Sequence, residues 1–142
     1  MMTAKLQEMG AAEGLPCKAR GPIGHTRDSH RLVQLAGQKG PEVQTRVVAQ
    51  LFQSAMEEDM DITSLDQLAD AAAEAGIDRD EAKKWLDEGK GGDEVDREIE
   101  EAVARGIKAP PYFTVNGKYE LEGAPEVEKF VQTFVRAKAE GA

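Results

Sequence analysis

Cysteine is almost missing from this chain: Cys17 stands alone among 142 residues. One thiol cannot close a disulfide within the chain, so the composition suits a reducing, cytoplasmic setting. Histidine is nearly as scarce. His25 and His30 fall on different faces of any helix, and with Cys17 they do not reach the four ligands of a zinc site. No metal is expected. No apolar run approaches the ~20 residues that a membrane-spanning helix needs. Lys5, Gln7 and Glu8 interrupt the opening residues, where a secretory leader would keep an unbroken apolar core. Basic residues are in deficit, 18 against 27 acidic, for a formal net charge of −9. That balance excludes the phosphate contacts of nucleic-acid binding and disfavours anionic membrane surfaces. Its ordinary role is to keep a solvated surface soluble.

Two acidic clusters, Glu57 to Asp61 and Asp93 to Asp96, lack the fixed glycine and closing glutamate of a calcium loop. Gly89-Lys90-Gly91-Gly92 lacks the spacing and the hydroxyl residue of a phosphate-binding loop, and reads as a linker.

What is present is helical periodicity, at a length suited to one domain and without repeats or low-complexity segments. A first helix is expected over Met2 to Ala12, followed by an irregular stretch from Gly14 to Gly24. Thr26 or Asp28 can cap a second helix carrying Leu32, Val33, Leu35 and Ala36, which Gly40-Pro41 ends. Val43, Val47, Leu51, Phe52 and Ala55 form the apolar stripe of a third. Ser64 with Gln67 makes a capping box for a fourth, and Asp78 with Glu81 repeats that logic for a short helix bearing Trp85 and Leu86. Asp93 opens another, with Val95, Ile99, Ala102 and Val103 on one face. A last helix from Pro125 carries a stripe of Val127, Phe130, Val131, Phe134 and Val135, expected to be buried.

Between those last two helices, Asn116-Gly117 separates two alternating runs, the strongest short-range hairpin signal. Phe113, Val115, Tyr119 and Leu121 line one face, and Thr114, Asn116, Lys118 and Glu120 the other.

This proline pair, hairpin, Gly123-Ala124-Pro125 and helix resemble the closing half of a thioredoxin fold. The resemblance is to the DsbA-like family, in its FrnE-type branch, kin to the 2-hydroxychromene-2-carboxylate isomerases. Thr26 to Leu32 resembles that branch's Asn-Thr-x-x-Ala-His-Arg-Leu stretch. Leu51 to Ala55 with Asp61-Ile62, Leu68-Ala69 through Asp78, and Gly106 to Phe113 resemble further segments in the same order. The resemblance implies a partial thioredoxin-like fold of α+β class, mostly helical, with residues 27–105 as the helical insert and 106–139 as the ββα closing unit. The family's opening β-α-β unit with its Cys-x-x-Cys has no counterpart, so the domain is expected to be N-terminally incomplete. Pro111 aligns with the family's cis-proline, and the Pro110–Pro111 bond is expected to be cis. Pro110 and Pro111, with Tyr112, then fall where the family meets an extended substrate, and Pro110 has no N–H to offer one.

Cys17 is the one candidate nucleophile, with Lys18 and Arg20 as nearby cations. The competing reading is an inert, packed cysteine. His30 is read as a general base or substrate hydrogen-bond donor, against a structural or surface histidine. The leading function is an accessory thiol-dependent oxidoreductase or isomerase in small-molecule, including secondary, metabolism, acting on a small molecule or thiol with its own dithiol site missing. The alternative is a catalytically inactive thioredoxin-like binding or interaction module. No cofactor is required, although glutathione is the co-thiol that a one-cysteine cycle would borrow. The strand from Tyr112 to Asn116 is expected to keep an open edge, and hence to recruit a second copy or a partner chain.

Overall fold

In the computed structural model, which describes residues 2–18 and 24–141, the order is six helices, a hairpin and a seventh helix. The helices are α1 (Met2–Ala12), α2 (Arg27–Gln38), α3 (Pro41–Glu57), α4 (Leu65–Glu74), α5 (Arg79–Asp87), α6 (Gly92–Ala104) and α7 (Val127–Glu140). The strands β1 (Tyr112–Val115) and β2 (Tyr119–Glu122) lie between α6 and α7. The fold is mostly helical α+β, as expected. Two compact units divide the chain, Met1–Arg97 and Glu98–Ala142.

In the first unit, local chemistry sets the helix ends. Pro41 occupies the first turn of α3, where a missing N–H costs nothing. Ser64 accepts from Gln67 N at 3.3 Å, and Asp78 from Glu81 N at 2.9 Å. Two capping expectations need correction. Gln67 does not reach back to Ser64; its Oε1 accepts from Asp61 N at 2.9 Å, which ties the preceding turn instead. Thr26 sits at the N-cap of α2 without a side-chain cap bond, while Asp28 lies inside the first turn and pairs with Arg31. Leu32, Val47, Leu68 and Leu86 are the largest fully buried side chains. Ala69, Ala71 and Ala72 give α4 a thin face, which lets its neighbours approach closely.

The buried guanidinium of Arg31, 4% exposed, ties α2 to α5. Its Nη2 donates to Leu86 O at 2.6 Å and Trp85 O at 3.2 Å, and its Nε to Lys90 O at 2.9 Å. Its Nη1 donates to Asp28 at 2.6 Å. Trp85 and Leu86 stand in the last turn of α5 and Lys90 in the turn after it, where the helix dipole favours a cation. Trp85 Nε1 returns a bond to Arg31 O at 3.0 Å. The indole rests on Gly91, where an added Cβ would lie 3.0 Å from the ring; its φ of +76° also favours glycine.

The second unit holds the hairpin and α7. Val115 pairs with Tyr119, Phe113 with Leu121 and Tyr112 with Glu122. The expected two-residue turn is realised with both residues at positive φ, Asn116 at 54° and Gly117 at 67°, closed by Lys118 N to Val115 O at 3.2 Å. The Pro110–Pro111 peptide is cis, as expected. The sheet is two-stranded, so among the described residues each strand keeps an unpaired edge. Phe113 meets Phe130 of α7 edge-on at 5.0 Å, and Lys118 binds Glu140 at 2.7 Å.

The apolar stripe of α7 is not buried as expected, and on α6 only Val95 of the apolar face is buried. α7 begins at Val127, not Pro125, and Val127, Val131, Phe134 and Val135 are more than half exposed, as are Ile99 and Val103 on α6. Only the flank of α7 carrying Phe130 and Thr133 turns inward, because a two-stranded hairpin covers no more than one side of a helix.

Arg31→Ala is expected to lower stability by about 3 kcal/mol, since buried carbonyls and Asp28 lose their shared donor. Arg31→Lys should recover little, lacking the planar fork. Urea unfolding followed through Trp85, the only tryptophan, measures both. A loss under ~0.5 kcal/mol, the scale of an ordinary surface change, would deny Arg31 this role.

Candidate functional site

α2 and α3, with the turn that follows α3, line a groove of about 460 Å³. Its walls include Val33 from α2 and Val48, Leu51, Phe52 and Met56 from α3, with Ile62 closing one end. The lining is overwhelmingly apolar, and its polar groups, Thr26, Ser29 and His30, all come from the start of α2. Ser29 Oγ donates to Thr26 O at 2.7 Å, so that hydroxyl meets a ligand as an acceptor. No hydrogen bond from the His30 ring is present among the described residues, and the residue is exposed on the rim. The start of α2 lacks a side-chain cap.

Ile62 is held in place by a short turn. Asp61 accepts from Thr63 Oγ1 at 2.6 Å and from Thr63 N at 2.9 Å. The hydroxyl first, and the backbone N–H second, hold its carboxyl below the usual carboxylate range. A depressed folded-state value means the turn is stabilised at pH above the ordinary carboxylate range, and that this is lost as pH falls through the lowered value. Thr63→Val should therefore move Asp61 up toward its ordinary value, as read by a carboxyl-carbon NMR titration. An unmoved Asp61 would contradict the assignment.

Cys17 does not line the groove, although the next residue, Lys18, is bonded to Met56 of its wall. The cysteine is partly exposed, and an added Cβ on Gly10 of α1 would come within 2.8 Å of its Sγ. Gln7 Nε2 donates to Lys18 O at 2.7 Å, and Lys18 N donates to Met56 O at 2.7 Å. The thiol segment is thus strapped between α1 and the end of α3. No hydrogen bond joins Cys17 to His30, and Arg20 lies outside the described residues. Gly10→Ala should displace the thiol and raise its alkylation rate several-fold, measured with an iodoacetamide probe on the folded protein. An unchanged rate would mean that Gly10 does not hold the sulfur.

The second unit carries the other candidates. Pro110 and Pro111 are exposed, and Pro111 O accepts from Gly123 N at 2.9 Å, so that carbonyl already serves the hairpin. Tyr112 shares the polar face with Thr114, Glu120 and Glu122. A hydrogen bond to Glu120, with desolvation second, raises its phenol above the ordinary tyrosine value. Tyr112 therefore stays protonated at neutral pH and can serve as a donor, not as a base.

Val48 was not singled out from the sequence, Ile62 entered only through a family-like segment, and Leu51 and Phe52 were assigned to one apolar stripe with no groove in view. The signal was present in adjacent apolar pairs, Leu32-Val33 and Val47-Val48. Neighbours on a helix point about 100° apart, so one member of each pair seals the core and the other is left for a second surface.

Among the described residues no helix is long and apolar enough to cross a membrane. No curated protein matches the chain. Residues 1–135 match the DSBA-like thioredoxin domain. With that match spanning nearly the whole sequence, the chain belongs to the DSBA-like thioredoxin domain family.

Proposed function

We propose that this family member binds a small apolar molecule with an anionic or hydrogen-bonding head in the α2–α3 groove, as an accessory to thiol-dependent oxidoreduction or isomerisation in small-molecule metabolism. The groove carries the reading: it is concave, apolar and of ligand size, and its few polar groups converge at one end. His30 is the donor toward the head group. Residues 27–105 then correspond to the helical insert of the FrnE-type branch and 106–139 to its ββα closing unit. Pro110, Pro111 and Tyr112 are the contact for an extended thiol substrate. A cytoplasmic location is supported by the single cysteine.

Cys17 is the only sulfur in these 142 residues able to react as a thiol. A one-cysteine cycle needs a second thiol to resolve its mixed disulfide, and glutathione is the class of co-reactant that supplies it. The close fit of Cys17 against Gly10 favours a second reading, in which the thiol only packs and the domain is a catalytically inactive binding module.

Two measurements decide. 2-Naphthoate, an apolar ring system with a carboxylate, should bind the wild type, and Leu51→Arg should weaken binding at least about tenfold by placing a charge on the groove wall. His30→Ala should weaken it less. Absent binding, or binding that Leu51→Arg leaves intact, would overturn the groove assignment. Insulin disulfide reduction should be negligible without glutathione, and any glutathione-dependent turnover should vanish in Cys17→Ser. Turnover that survives Cys17→Ser would exclude a Cys17 mechanism, and no turnover with intact naphthoate binding would leave the inactive module as the function.

A further inference from the structure

Asparagine is used once in this chain, at Asn116, and a glycine follows it. That pair is the least hindered setting for attack of a backbone nitrogen on the side-chain amide before it, since Gly117 has no Cβ beside its N–H. Asn116 is exposed at the tip of the hairpin. Neither its side chain nor Gly117 N has a hydrogen-bond partner among the described residues.

The closed turn nevertheless withholds the reaction. With φ of +54° at Asn116 and +67° at Gly117, and Lys118 N donating to Val115 O at 3.2 Å, the turn is of type I′. Its first central residue takes a ψ of about +30°, which in an L-residue sets the following nitrogen nearly opposite Cβ across the Cα–C bond. A succinimide ring needs the two nearly eclipsed. Reaching that arrangement swings the peptide between Asn116 and Gly117 over and breaks the bond from Lys118 to Val115. The turn is also clasped by α7. Lys118 Nζ meets Glu140 Oε2 at 2.7 Å, and the Tyr119 hydroxyl donates to the same carboxylate. Asn116 shares a shallow cleft with Ala137, Lys138 and Gly141 at the end of that helix. All of these contacts lie within the second unit.

We propose that Asn116 is a deamidation site gated by the hairpin, silent while the turn is closed and irreversible once the opened turn has reacted. In the open turn the Gly117 nitrogen gives its proton to a solvent base and bonds to Asn116 Cγ. The bond from Cγ to the side-chain nitrogen breaks, and ammonia leaves. Water then opens the succinimide at either carbonyl, giving aspartate or isoaspartate. The net change is amide plus water to acid plus ammonia, with no redox step. Aspartate still suits the turn. Isoaspartate does not, because it carries the main chain through Cβ and adds a methylene between Val115 and Tyr119, which the turn sets opposite each other. A two-stranded hairpin is only marginally stable by itself, so the rate follows the population of the open turn. Neither the groove nor thiol chemistry enters.

The test incubates the full chain at mildly alkaline pH, folded or in guanidinium chloride, and follows the amide-to-acid mass gain on the peptide that holds Asn116. The folded chain should react at least about tenfold more slowly than the denatured one. Glu140→Gln, which frees Lys118 and Tyr119 from α7, should speed the folded reaction about two- to fivefold, the range of an exposed ion pair. It should leave the denatured rate unchanged. Chains carrying isoaspartate should lose the cross-strand NMR contacts between Val115 and Tyr119, whereas Asn116→Asp should keep them. Equal folded and denatured rates, no product even in denaturant, a folded rate indifferent to Glu140→Gln, or an isoaspartate chain that keeps those contacts would each overturn the proposal.

Discussion

A buried cation at the end of a helix organises the first unit. Three of Arg31's donors serve carbonyls around the end of α5, and the fourth contact is Asp28, one turn back on its own helix. A lysine could neutralise the same dipole but could not span three acceptors in one plane. Trp85 closes the loop by returning its N–H to the backbone of Arg31, and so requires a glycine beneath the ring at position 91. Burial of Arg31 thus fixes how α2 meets α5, and α2 in turn presents Thr26, Ser29, His30 and Val33 on its other side. The groove is the outward consequence of an inward polar lock.

Legibility from sequence followed the range of the interaction. Caps and turns are decided by neighbouring residues, so Ser64, Asp78, Pro41 and Asn116-Gly117 could be placed before any tertiary contact was known. The Gln67 side chain was misassigned because its acceptor found Asp61 N, on a turn whose path the capping pattern does not encode. Arg31 was passed over in favour of its neighbour His30, since a lone arginine near a helix start gives no local sign of burial among distant carbonyls. Periodicity identified α6 and α7 as amphipathic but could not say what covers them. An apolar stripe reads the same whether it faces a core, a partner or water, and Val127, Val131, Phe134 and Val135 are more than half exposed.

The candidate site residues divide by what the surrounding chemistry lets them do. Tyr112 is hydrogen-bonded to Glu120, which raises its phenol further above neutral pH, Pro111 spends its carbonyl on Gly123, and Cys17 is wedged against Gly10. None of these arrangements supplies a base or a resolving thiol. His30 differs, since its ring is uncommitted among the described residues and stands at the polar end of an apolar groove. Membership in the DSBA-like thioredoxin family sets the chemical context. On the proposed reading, the polar group that meets the ligand is an imidazole, not a sulfur.

The two exposed apolar surfaces differ in shape, and shape decides what each can hold. A concave groove surrounds a small ligand on several sides, so a few hundred cubic ångströms suffice to remove most of its surface from water. A convex helix face touches a small molecule on one side only and gains little from it.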